Sequence, residues 1–265
     1  MIPSATALSS AIDVLEAKAQ WGSNMRMDVY VRFAYHGGSL YIDLANEQHQ
    51  VIKVTPDGWG LAQEVPVCFR RPDGMLPLPM PVLGGSLDDL RPFVNVSDED
   101  WILVKTWLFG ALHPTGPYPV LDLNGERGSA KTSAAKHLRM VLDPHLAPLR
   151  KAPKDDQTFA IMAHNNYIVA LDNLSHISSD LSDLMCTLST GAGDAYRRHY
   201  SNDEEVIFSA KRPQVFTGIE ELATRGDLID RCIIVKLPTM DEEKRRDEHT
   251  LDEEFAAAHP RILGA

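Results

Sequence analysis

Cysteine is scarce in this chain. The three present, Cys68, Cys186 and Cys232, lie far apart and in no metal-ligand spacing. That excludes a disulfide framework and a cysteine-built zinc site, and implies reduced thiols in a cytoplasmic protein. Positive charge is also short: 26 Lys and Arg against 37 Asp and Glu leave a formal net charge of −11. Gripping nucleic acid through bulk charge is therefore excluded, and any DNA contact must come from local patches. No apolar run reaches the length that crosses a bilayer, and the N-terminus lacks the charged-then-apolar order of a signal peptide, so no membrane partner is expected. Internal repeats and low-complexity tracts are absent. What remains is a globular balance, 44% hydrophobic and 24% charged over 265 residues. That suffices for one large domain or two small ones.

The chain is organised around Gly125, Glu126, Arg127, Gly128, Ser129, Ala130, Lys131 and Thr132. An apolar run, Val120, Leu121, Asp122, Leu123, precedes them, and a helix-patterned segment from Ser133 to residue 142 follows. Strand, glycine-bearing loop, Lys-Thr, helix is the order of a phosphate-cradling P-loop. Glycines let backbone N–H groups turn onto phosphate oxygens, and the helix N-terminus adds partial positive charge. Lys131 is expected to reach the β- and γ-phosphates of ATP, and the Thr132 hydroxyl to hold Mg²⁺. Ala130 stands where such loops carry the glycine before the lysine; a negative φ there would let the loop close.

Downstream, Tyr167, Ile168, Val169, Ala170 and Leu171 run into Asp172 and Asn173. An apolar strand ending in an acidic residue after a P-loop is Walker-B order. It puts Asp172 at the carboxyl end of a buried parallel strand, placed to hold Mg²⁺ through water.

The other elements frame this pair. Residues 4–20 read as a short amphipathic helix packed on the body. Period-two patterning over 29–34, 40–44, 51–54 and 65–69 gives a small antiparallel β module. Its Arg32, with Arg70 and Arg71, reads as a solvated face rather than a phosphate contact. Residues 71–92, rich in Pro and Gly, read as an extended connector that excludes helix. Ser97 caps a helix with Trp101, Val104, Trp107 and Leu108 on its apolar face. After the P-loop helix, His145, Arg150, Lys151 and Lys154 form a local basic run. Helices follow at 157–163 and 178–190, then a hairpin over 196–208. A buried strand covers 214–217, a helical turn 220–224, and a last strand 232–237. Residues 241–258 read as a charged, solvated helix. The expected division is 1–90, helix plus β module plus connector, and 91–265, the ATPase domain. The expected fold is α/β, a parallel sheet sandwiched by helices behind the small β module.

Residues 95–240, with the P-loop, Asp172-Asn173, the hairpin, the strand ending at Thr217 and the segment Asp227 to Arg231, resemble the AAA+ ATPase module of phage and mobile-element replicative helicases. These are superfamily-3-like and minichromosome-maintenance-like enzymes, often associated with a primase. The resemblance implies ATP and Mg²⁺ as cofactors, single-stranded DNA as substrate, and a homo-oligomeric ring, a hexamer. It puts Thr217 at the sensor-1 position, usually Asn, which contacts the γ-phosphate or the attacking water. It makes Arg231 the arginine finger reaching a neighbour's nucleotide, with Arg225 as rival and a helix cap on Asp227 or Asp230 as the bland alternative. The family hairpin grips DNA at its tip; here Arg197, Arg198 and His199 lie on the first arm, and Asp203, Glu204 and Glu205 hold the turn. Relatives carry Glu where this chain has Asn173. Asn orients water but takes no proton, so hydrolysis is slow or another carboxylate such as Glu126 helps. Three readings stay open: a DNA-translocating helicase module, an AAA+ switch or loader acting on a protein partner, and a hydrolytically inert nucleotide-binding module.

Overall fold

Two sheets organise the chain, and one apolar cluster joins them. The computed structural model describes residues 4–22, 27–113, 115–191, 194–197, 205–208, 211–219, 222–241, 243 and 245–265, without the side chains of 194–197 and 205–208. Helix α1, Ala5–Trp21, starts at Ser4, whose hydroxyl accepts from the Ala7 amide at 3.2 Å. Every residue of α1 is exposed, so it does not pack on the body as its pattern suggests. Five alanines and an N-cap favour this helix locally, without burial.

Strands β1 (Val29–Tyr30), β2 (Phe33–His36), β3 (Ser39–Asp43), β4 (Val51–Thr55), β5 (Gly58–Leu61) and β6 (Cys68–Phe69) make the front module. The meander β2-β3-β4-β5 is antiparallel, while β1 pairs with β6 in parallel. The expected single strand over 29–34 breaks at Arg32, whose φ is +68°. The break turns Arg32 inward, where it is fully buried. It donates to the carbonyls of Asp43 and Leu76 and pairs with Asp143 at 3.5 Å. Arg71 chelates Asp43, and Arg70 donates to Asn165. The solvated face expected of these three arginines is corrected: they are internal fasteners. The connector contains a 3₁₀ helix, Leu87–Phe93, contrary to its Pro and Gly content. Ser86 and Asp89 cap each other's backbone there and nucleate the turn.

Behind the module come α2 (Asp98–Ala111), β7 (Val120–Asn124), α3 (Lys131–Leu142), α4 (Asp156–Asn165), β8 (Val169–Leu174) and α5 (Ser179–Thr190). Then follow β9 (Asp194–Arg197), β10 (Glu205–Phe208), β11 (Gln214–Gly218), α6 (Gly226–Ile229), β12 (Cys232–Lys236) and α7 (Glu248–Leu263). The second sheet runs β12-β7-β11-β8 with every pair parallel. Side chains alternate between its faces, as strand geometry requires. Leu121, Leu123, Ala170, Val215 and Val235 join one cluster with α2, α3 and α7. Val120, Val169, Leu171 and Phe216 join the other with α4, α5 and α6. Burial on both faces explains why these strands read as continuous apolar runs. The first cluster also takes in Val31, Phe33, Ile42 and Leu44 of the front module.

Two expectations about the chain's last third are corrected. Residues 222–224 form no helical turn; the short helix is α6, and 220–221 lie outside the described residues. Helix α7 begins later than expected and is not a solvated face, since Phe255, His259 and Ile262 are buried. Those three share one stripe, which the surrounding charges mask in the sequence.

Candidate functional site: a loop and three strand ends

The loop 125–130 leaves β7 at the carboxyl edge of the parallel sheet and enters α3 at Lys131. Its closure is tight. A Cβ on Gly125 would lie 2.7 Å from the Leu237 carbonyl oxygen and from Ser129 Oγ. Gly128 takes φ +88°, which favours glycine. Ala130 takes φ +63°, so the negative φ expected of it is corrected. The loop closes through a left-handed alanine. Lys131 Nζ turns inward onto the carbonyl oxygens of Gly125 at 2.5 Å and Glu126 at 2.8 Å. Partial burial pushes its ammonium below the usual lysine range, partly offset by Asp172. Ser129 is buried and donates to the Glu126 carbonyl at 2.9 Å. Glu126 and Arg127 are exposed, and Ser133 sits half-buried on the first turn of α3.

Beside the loop, the ends of β8 and β11 bring three hydroxyl or carboxylate groups together. Thr132 Oγ1 donates to Asp172 Oδ1 at 3.0 Å, and Thr217 Oγ1 donates to the same oxygen at 2.6 Å. The Asn173 amide donates to Thr217 Oγ1 at 2.9 Å. Sequence neighbours do not make this cluster; strand order does. Strand β11 lies between β7 and β8, so Thr217 falls between the loop and Asp172. Asn173 takes φ +54°, a conformation that Asn tolerates better than most residues. The donor set suits Mg²⁺. Thr132 spends its proton on Asp172 and keeps its oxygen lone pairs, and Asp172 Oδ2 stands beside the shared Oδ1. A hydroxyl and a carboxylate are hard oxygens, and Mg²⁺ takes its other ligands from phosphate and water.

The remaining candidates lie elsewhere. Arg231 precedes β12, at the amino end of the sheet, since Cys232 pairs with Val120 and Lys236 with Asn124. At ~3.3 Å per residue, the sheet separates it from its own loop by roughly 17 Å. Its Nη1 donates to the Asp227 carbonyl, a backbone cap rather than a carboxylate pair. Arg225 pairs with Asp183 at 3.0 Å and with Asp227 at 3.4 Å. The hairpin forms, with Arg197 opposite Glu205. Arg198, His199, Asp203 and Glu204 lie outside the described residues.

Sequence patterning missed two braces of the loop. Asn95 donates to the carbonyls of Ser129 at 3.1 Å and Pro238 at 2.7 Å. It has no periodic or motif signal. Arg245 stands so close to Gly128 that a Cβ there would strike its guanidinium. Both border a cavity of 450 Å³ that also touches Ala130 and Ser133.

The fold defines an α/β protein with a parallel sheet sandwiched by helices and a small antiparallel sheet in front. The model of the actinomycete integrative conjugative element replication protein family matches residues 87–265, and the chain belongs to that family. It is a mobile-element replication protein, as the residue-level resemblance implies. No curated protein matches the chain. Among solved structures, the NrS-1 C-terminal region is similar at a TM-score of 0.48 and 11% identity, over 81% of this chain and 63% of that one. The SCCmec type IV Cch helicase is similar at 0.47 and 14%, over 96% and 48% respectively. JCV helicase is similar at 0.45 and 10%, over 67% and 52%. The chain spans less than two-thirds of each of these structures. Among the described residues, no helix is long and apolar enough to cross a membrane.

Proposed function

We propose that the chain is the ATP-hydrolysing motor of a mobile-element DNA replication protein, working as a homo-oligomeric ring, a hexamer, on single-stranded DNA. The observation that carries this reading is the meeting of Thr132, on the first turn of α3, with Asp172 of β8 and Thr217 of β11, beside the Lys131 loop. Backbone N–H groups of residues 125–133 and the α3 N-terminus cradle the phosphates of ATP. Lys131 exchanges its loop carbonyls for the β- and γ-phosphates. Thr132 and Asp172 hold Mg²⁺, which neutralises charge on the phosphates. Asn173 orients the attacking water. Arg231, too far from its own loop, serves the neighbouring subunit's site and stabilises transition-state charge there. A primase is the partner that suits such a motor. Asn173, which takes no proton, favours a second reading: an ATP switch or loader that remodels a protein partner with slow turnover.

ATPase assays with and without single-stranded DNA separate the two. The motor reading predicts turnover that DNA stimulates and that Lys131→Ala abolishes. Turnover indifferent to DNA but raised by a protein partner supports the switch. Equal turnover in parent and Lys131→Ala removes the loop from either.

A further inference from the structure

Thr217 owns one hydroxyl proton, and that proton is committed. It goes to Asp172 Oδ1 at 2.6 Å, the shortest of the cluster's three bonds. Thr217 Oγ1 itself accepts from the Asn173 amide at 2.9 Å. A threonine hydroxyl has one donor, so Thr217 has none left for a γ-phosphate. The usual Asn at this position brings two N–H donors and can serve both sides. Location agrees. Thr217 is 1% exposed, whereas Thr132 and Asn173 are exposed.

We propose that Thr217 is a positioning residue for the magnesium site, not a sensor of the γ-phosphate. Resting on the ATPase reading above, this assigns Thr217 two tasks. It fixes the rotamer of Asp172, so that one carboxylate oxygen takes both hydroxyl bonds and the other faces the metal's water shell. It also ties down the left-handed backbone of Asn173 through the amide, so the side chain that orients water starts from a fixed place. Oriented outer partners of metal ligands commonly matter by ~10- to 100-fold in affinity or activity. The same magnitude is expected here, though Thr217 touches neither nucleotide nor metal.

The test uses the full chain and three variants. Thr217→Val keeps the shape and removes the hydroxyl, Thr217→Ala removes it with less crowding, and Thr217→Ser keeps it. The first readout is fluorescent ATP-analogue binding as a function of Mg²⁺. Val and Ala should raise the Mg²⁺ midpoint by ~10-fold or more, with metal-free affinity and the ATP-to-ADP affinity ratio unchanged. Ser should return the midpoint to near the parent's. The second readout needs no nucleotide: amide hydrogen exchange at Asn173 should be slow in parent and Ser, and fast in Val and Ala. A Mg²⁺-dependent parent whose Val and Ala variants keep the parent midpoint but lose ATP-over-ADP preference overturns the proposal in favour of a sensor. A parent whose nucleotide affinity ignores Mg²⁺ overturns the ATPase reading itself, and this proposal with it. If Val does not fold, Ala and Ser decide between the same outcomes.

Discussion

Ala130 carries a cost that glycine would not. Its φ of +63° is left-handed, which costs an L-residue roughly 1–2 kcal/mol. Glycine at the same place gives back roughly 0.5–1 kcal/mol through unfolded-state entropy. Ala130→Gly should therefore stabilise the fold by about 0.5–1 kcal/mol, read as a higher urea midpoint at unchanged slope. A lower midpoint would mean that the alanine methyl packs usefully in the loop. Asn173 tells a related story. In the sequence it is a missing base, and only the backbone supplies a reason for it: φ +54° suits Asn. Asn173→Glu should raise ATP turnover about tenfold or more, because a positioned base is worth ~10²–10⁴-fold. It should also lower stability by about 1 kcal/mol, since Glu tolerates this φ poorly. Flat or reduced turnover would show that the site already has the residue it needs. The loop residues and Asp172 were legible from motif order. The hydrogen-bond pattern around Thr217 was not, because it depends on which strand lies between which.

Elements were legible where burial is two-sided. Strands β7, β8, β11 and β12 announce themselves as apolar runs because both faces are covered. Helix α7 and Arg32 are not legible in the sequence for one reason: charge in the sequence looks like solvent exposure until its partners are known. Asp143 shows what those partners do. It ends α3, accepts from the Tyr167 and Ile168 amides at 3.0 Å each, and faces Arg32 and Arg139. Burial holds the Arg139 guanidinium down to about 10, against the pull of Asp143. One carboxylate thus ties the front β module, the P-loop helix and the entry to β8. Removing one partner of a buried charge cluster typically costs about 3–5 kcal/mol. Asp143→Ala should lose that much in urea unfolding, with the β module and the parallel sheet melting together. A loss below about 1 kcal/mol, or two separate transitions, would contradict this coupling.

At the scale of the whole molecule, the candidate residues are split between the two ends of one sheet. Lys131, Thr132 and Asp172 stand at the carboxyl end, and Arg231 at the amino end. A net charge of −11 leaves DNA contact to local surface. Residues 198–204, which hold part of the hairpin's basic and acidic set, lie outside the described residues. In the proposed ring, a working site takes its loop from one subunit and its arginine from the next. The most direct measurement is an ATPase titration of Lys131→Ala protein into Arg231→Ala protein at fixed total concentration. Each variant alone should be inactive, while Arg231→Ala still binds ATP. Mixtures should recover activity that peaks at intermediate ratios, because some sites then pair an intact Lys131 with a neighbour's intact Arg231. Activity that stays flat across all ratios, with Arg231→Ala melting early for want of its Asp227 cap, would contradict the shared site and the ring together.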